Sequence, residues 1–204
     1  MLMKVLAGIE PPTAGQVLLG DRPVQELSGA ARARTIGYLP QHFEPHWDLS
    51  VLDLVRLGIE RAGDAAAGAL DKSIEQYELT ALRQRRWSTL SGGERARVLL
   101  AMVLATDPPV LLADEPGASL DIRHRLDAVR TLAQHGRDRL SIVVMHDLDL
   151  AFRLFERVVV IERGRVAADG PARDLIDAPV LDAVFGVRFE RIVSGDGRIL
   201  HAAS

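Results

Sequence analysis

Two short runs, residues 110–113 (VLLA) and 140–145 (LSIVVM), are dominated by apolar residues with no polar alternation. A strand with one wet face alternates; a strand that does not alternate is covered on both faces, as in a parallel sheet between helical layers. The chain is therefore predicted to be α/β, with both runs as central parallel strands. Each ends in groups capable of chemistry: Asp114 and Glu115 after the first, His146 after the second. Ligands gather at the carboxyl ends of strands in such sheets.

The length of 204 residues suits one domain, or one with an inserted subdomain, and 48% hydrophobic with 26% charged residues is the balance of a folded chain. A formal charge of −3 gives no general electrostatic argument for nucleic acid. The absence of cysteine excludes disulfides, thiolate metal sites and a cysteine nucleophile, and fits an intracellular location. The longest apolar stretches, residues 98–105 and 158–161, fall short of the roughly 20 residues of a membrane-spanning helix, so any membrane role comes through a partner.

Residues 1–8 (MLMKVLAG) lack a signal-peptide layout and read as a helix under way, with Leu2, Val5 and Leu6 at helical spacing and no capping residue ahead of them. A short strand is expected over 16–19, a turn at Gly20-Asp21, a helix over 26–34 and a strand over 35–39 that Pro40 ends, with Gln41 just beyond. Ser50 is placed to cap a helix from Val51 to about Gly58, and residues 65–83 supply further helical material. After the second apolar run come an edge hairpin (157–161 and 165–168), two short helices and a second hairpin whose arms, 187–193 and 198–201, flank Ser194-Gly195-Asp196-Gly197.

The sharpest motif is Leu90-Ser91-Gly92-Gly93-Glu94, opening a helical pattern that runs to Ala105. Ser91 and Glu94 have capping-box spacing, and two glycines leave the first turn unshielded, which makes the helix start a ready anion site. It is equally readable as an ordinary capped helix. Asp114 can hold Mg²⁺ or its waters, and the adjacent Glu115 can deprotonate an attacking water; the plainer reading is a cap and a solvated carboxylate. His146 can hydrogen-bond a phosphate, Gln41 can offer an amide oxygen, and Asp121 can cap the helix that follows it.

Taken in order, Gln41, Ser91-Gly92-Gly93-Glu94, Asp114-Glu115, Asp121 and His146 resemble the nucleotide-binding subunit of ATP-binding cassette (ABC) transporters over nearly the whole chain. The resemblance makes Gln41 the Q-loop, residues 90–94 the signature, 110–115 the Walker B strand, 118–121 the D-loop and His146 the switch histidine. Within that family, residues 36–41 (IGYLPQ), 45–51 (PHWDLSV) and 184–187 (VFGV) are similar to importers of iron-siderophore, haem and cobalamin type.

The resemblance implies a phosphate-loop NTPase (RecA-like) core at 1–50 and 96–204, its mostly parallel sheet carrying edge hairpins, and a helical signature subdomain at 51–95. It implies ATP and Mg²⁺ as cofactors, with Asp114 and Gln41 at the metal, and Glu115, His146 and Gln41 as catalytic residues. Ser91, Gly92, Gly93, Glu94, Asp114 and Asp121 would bind nucleotide. The implied partners are membrane permease subunits, a second nucleotide-binding subunit head to tail, and indirectly a cargo-binding protein, at the cytoplasmic face of the membrane, with no nucleic acid. The family's phosphate loop, G-x-x-x-x-G-K-[ST], is not among the 204 residues, and residues 2–8 resemble the helix that follows it. The expectation is a late start, leaving the core N-terminally incomplete. The alternative is a degenerate cassette that at most completes a site in trans on a loop-bearing partner.

Overall fold

The computed structural model describes residues 1–204 other than 62, 64–67, 119, 195, 196 and 204. The expected start of helical material at Ala65, the D-loop serine Ser119 and the hairpin turn Gly195-Asp196 lie outside the described residues. The chain divides into two compact units, Met1–Val144 and Met145–Ser204.

In the first unit, α1 (Leu2–Leu6) leads to a hairpin of β1 (Leu18–Leu19) and β2 (Arg22–Pro23), then α2 (Gly29–Thr35) and β3 (Ile36–Leu39). Three helices follow, α3 (Val51–Glu60), α4 (Ala69–Gln76) and α5 (Gly92–Leu104), and then β4 (Val110–Asp114), α6 (Ile122–Asp138) and β5 (Leu140–Val144). The strands form a parallel sheet in the order β3-β4-β5, with Leu39 opposite Ala113 and Asp114 opposite Val144.

The central strand explains its own sequence. Val110 and Leu112 pack into one cluster with Met3, Ala7, Val24 and Ile36, whereas Leu111 and Ala113 pack into another with residues of α3, α5 and α6 such as Val55, Val98 and Leu132. Both faces of β4 are dry, and each buried branched side chain is worth about 1.5–3 kcal/mol. β5 lies at the end of this sheet among the described residues, with Leu140 50% exposed and residues 141–144 half-buried.

The helix α1 likewise buries Met3 and Ala7, an i,i+4 pair, and leaves Leu2 half exposed. Gly8 closes it with φ of +67°, and any Cβ there would meet Val24 at 2.5 Å.

The helix α3 starts where Ser50 accepts from the Asp53 amide at 3.2 Å. Its buried residues Val51, Leu54, Val55, Gly58 and Ile59 form one face against α5, where Gly58 lies so close to Met102 that a Cβ would strike the Met102 carbonyl. Ser73 of α4 donates to the Ala101 carbonyl of α5 at 3.2 Å, a buried bond that ties α4 to α5.

The second unit holds α7 (Leu148–Leu154), the antiparallel pair β6 (Arg157–Glu162) and β7 (Arg165–Pro171), the short helices α8 (Ala172–Leu175) and α9 (Val180–Phe185), and the antiparallel pair β8 (Phe189–Ser194) and β9 (Gly197–Ala202). Each hairpin is a two-stranded sheet of its own. Phe152, Val160, Ile176, Leu181, Phe189 and Leu200 make the core of this unit.

Candidate functional site

Within the first unit, the loop that leaves β3, the start of α5 and the end of β4 line a cavity of about 500 Å³, with Gln41, Phe43, Trp87, Gly92, Arg95 and Glu115 among its walls. The parallel register causes this convergence, since β3 and β4 end level with one another and discharge their loops on the same side.

At the end of β4 the chain turns sharply. Glu115 has φ of +51°, a left-handed conformation that non-glycine residues rarely adopt. Three backbone bonds hold it there. Its N–H donates to the Val144 carbonyl at 2.9 Å, and its own carbonyl accepts from Gly117 at 2.8 Å and Ala118 at 3.3 Å. The turn aims the side chain at the loop after β3, where Gln41 Nε2 donates to Glu115 Oε2 at 2.9 Å. Nearby, burial pushes the Tyr38 hydroxyl above its usual pKa, and the charges of Asp114 and Glu10 push it the same way.

The start of α5 is a complete capping box. Ser91 Oγ accepts from the Glu94 amide at 3.3 Å, and Glu94 Oε2 accepts from the Ser91 amide at 2.7 Å. Donation from that amide, chiefly, holds the Glu94 carboxyl below the usual range. Gly92 faces the cavity, and a Cβ on Gly93 would meet nothing nearer than Leu120 at 3.9 Å, so the first-turn amides are unshielded by side chains of their own.

Gln41, Glu115 and Gly92 thus surround one cavity, with Asp114 immediately before Glu115 and Ser91 immediately before Gly92. Asp121 is turned to its own helix. It caps α6 by accepting from the His124 amide at 2.9 Å and pairs with His124 Nδ1 at 2.8 Å, and the amide bond above all lowers its pKa. His146 belongs to the second unit, exposed in the bend before Asp147, which caps α7 by accepting from the Leu150 amide at 3.1 Å.

Sequence reading did not single out Phe43, Glu44, Trp87 or Arg95. Glu44 accepts from Trp87 Nε1 at 2.8 Å and from Arg95 at 3.0 Å, the Arg95 guanidinium lies 5.1 Å from the Trp87 ring centroid, and Phe43 meets that ring edge-on at 5.5 Å. No local spacing reveals these pairs, because Glu44 and Trp87 are 43 positions apart. The usable hint was that a chain only 4% aromatic puts a tryptophan beside its sharpest motif.

Among the described residues, no group of three or more His, Cys, Asp or Glu side chains is arranged to hold a metal. Asp114, which ends β4, and Glu115 set two adjacent carboxylates at this end of the sheet, with the Gln41 amide bonded to the second. No helix among the described residues is long and apolar enough to cross a membrane.

The ABC transporter family profile matches residues 1–118. The hemin import ATP-binding protein HmuV of Rhodopseudomonas palustris (strain HaA2) is 39% identical over 196 residues, covering 91% of this chain and 75% of that protein. HmuV of Thermobifida fusca is 37% identical over 197 residues, covering 93% and 69%. The cobalamin import ATP-binding protein BtuD of Halobacterium salinarum is 38% identical over 195 residues, covering 92% of this chain and 49% of that protein, so the chain spans about half of that relative. Among solved structures, a metal-chelate type ABC transporter in an inward-facing conformation matches with a TM-score of 0.74 at 21% identity, over 99% of this chain and 79% of the other. An ATP-binding cassette in a dimeric post-hydrolysis state, bound to ADP and Pi, matches at 0.73 and 25% identity, over 84% and 79%.

Proposed function

The chain belongs to the ABC transporter family, and from that membership and the geometry of the site we propose how its residues drive an importer. It is an ABC-type ATPase of an import system, and its relatives, named as ATP-binding import proteins, favour this over a degenerate cassette. The cargo class is that of the relatives, haem, cobalamin or a related metal chelate, selected by other subunits.

The observation that carries the mechanism is the hydrogen bond from Gln41 to Glu115 on a cavity that also receives the start of α5. Glu115 is the general base: held by Gln41 and by its strained turn, it takes the proton of the attacking water. Asp114 and Gln41 hold Mg²⁺ or its waters, and the ion, when bound, offsets charge developing on the phosphate oxygens. The start of α5, residues 91–94, acts in trans. Its amides and the Ser91 hydroxyl receive the γ-phosphate of an ATP gripped by a phosphate loop across a head-to-tail dimer. Asp121 adjoins that interface, and His146 steadies the transition state.

In this reading residues 51–95 form the helical signature subdomain and residues 1–50 with 96–204 the core. Gln41 and the helical part pass the closing and reopening of the dimer to permease subunits at the cytoplasmic face of the membrane, and a cargo-binding protein acts only through them. The test is Glu115→Gln in the full protein assembled with its membrane subunits. It should retain ATP binding while hydrolysis falls by about a hundredfold or more, the usual contribution of a general base. Unchanged turnover would refute the role of Glu115.

A further inference from the structure

The loop that leaves β3 does more than present Gln41. Three residues further on, Glu44 gives its two carboxylate oxygens to two different donors: Oε2 to Trp87 Nε1 at 2.8 Å and Oε1 to Arg95 at 3.0 Å. Arg95 stands in the first turn of α5, directly after Glu94, and also donates to the Ser88 carbonyl at 3.4 Å. Trp87 is 3% exposed, and its indole N–H finds its acceptor in Glu44, whose own side chain stands 71% exposed at the edge of the protein.

The same loop is fastened along its length. Asp48 accepts from the Ser88 amide and hydroxyl, both at 2.9 Å, its carbonyl accepts from Arg86 at 2.7 Å, and the Trp87 amide donates to the Leu49 carbonyl at 2.9 Å. Glu44 is the member of this seam that reaches into α5 itself. Glu44 thus links the loop that bears Gln41 to Arg95 at the start of α5.

We propose that Glu44 is a positioning residue that locks the loop bearing Gln41 to the first turn of α5, so that the general base and the anion-binding helix start are set by one movement. The proposal rests on the functional reading above, which gives those two groups their roles. Glu44 lines the same cavity, and in that reading it acts through Trp87 and Arg95 and not on the nucleotide itself.

The experiment compares the full protein, assembled with its membrane subunits, in its unaltered form and as Glu44→Ala and Glu44→Gln. Hydrolysis kinetics give kcat and KM for ATP, and Trp87 emission is taken, in a Trp47→Phe background, as the difference from the same assembly carrying Trp87→Phe, which removes the signal of every other tryptophan. Glu44→Ala should lower kcat about fivefold to tenfold with KM changed less than about twofold, the size expected of a coupling residue. It should also abolish the ATP-dependent change in Trp87 emission. Glu44→Gln, which keeps an acceptor for Trp87 but loses the charge facing Arg95, should fall between.

An unaltered kcat in Glu44→Ala, with the unaltered protein active, overturns the role of Glu44 and leaves the functional reading standing. So does a loss of kcat that merely parallels a loss of folded protein in both variants. If the unaltered protein hydrolyses no ATP and Glu115→Gln changes nothing, the functional reading falls, and the role of Glu44 falls with it.

Discussion

Gln41 and Glu115 are 74 positions apart in the chain and meet through a 2.9 Å hydrogen bond from amide to carboxylate. The bond joins the loop after β3 to the turn after β4 and fixes where Glu115 can point. Gln41→Ala should therefore lower kcat by about tenfold to a hundredfold while ATP still binds, because the proposed base remains but is no longer held. Gln41→Glu should be at least as damaging, since it sets two carboxylates side by side. Single-turnover hydrolysis with ATP binding measured in parallel checks both.

Ser91 caps α5, and the proposed function gives it a second job that can be separated from the first. As the cap of α5 it contributes about 1 kcal/mol, which Ser91→Ala should remove as a lower thermal midpoint. Ser91→Asp keeps a capping oxygen, and so should keep the midpoint, but it places negative charge where the γ-phosphate is proposed to sit. Hydrolysis that survives in Ser91→Asp would remove residues 91–94 from the phosphate site.

Acid should weaken the first unit through its helix caps. Glu94 and Asp121 titrate below their ordinary values because backbone amides donate to the charged forms. Such groups contribute stability that is complete above the ordinary carboxylate range and lost as the pH falls through the lower folded values. Urea midpoints should therefore drop below about pH 4, and Asp121→Asn should make that drop shallower. An identical acid slope in the variant would show that the Asp121 cap does not contribute.

At the other end of the scale, burial raises the Tyr77 hydroxyl from 10.0 to about 12. The folded state holds this proton longer than the unfolded one, so the contribution is complete below pH 10 and is lost as the pH climbs toward about 12. Tyr77→Phe should flatten the alkaline fall in stability, as read by unfolding midpoints across that window.

Gly58 sets the approach of α3 to α5. Gly58→Ala gains helix propensity but drives a methyl into the Met102 carbonyl, and overpacking of this kind costs about 1–3 kcal/mol. A lower denaturation midpoint at unchanged denaturant dependence is the expected result; a higher midpoint would mean that the two helices separate without cost.

Much of the fold was legible in the residues, for reasons that are local. The dry strand β4, the caps at Ser50, Ser91 and Asp121, and the acidic pair at the strand end all announce themselves within a few positions. What stayed hidden depends on partners far along the chain. The apolar run of β5 looks like that of β4, and the pairing of the two strands in parallel is set by partners that no local spacing shows. The grip of Glu44 on Trp87 and Arg95 spans 43 and 51 positions, and α1 turns Met3 and Ala7 rather than Leu2 inward because of where β4 lies. At the site, Gln41, Glu115 and the glycine-rich helix start were each visible in the sequence, whereas the cavity they share is a product of sheet register.

The left-handed backbone at Glu115 sets function against durability at a single torsion angle. Glycine would rest there without strain, and removing a β-carbon from a φ of +51° should relieve on the order of 1 kcal/mol. Glu115→Gly is thus a substitution that drift toward a sturdier protein would favour and the proposed role of Glu115 as general base would forbid. A lineage released from the need to hydrolyse ATP should lose its carboxylate at this turn early, and gain thermal tolerance as it does so.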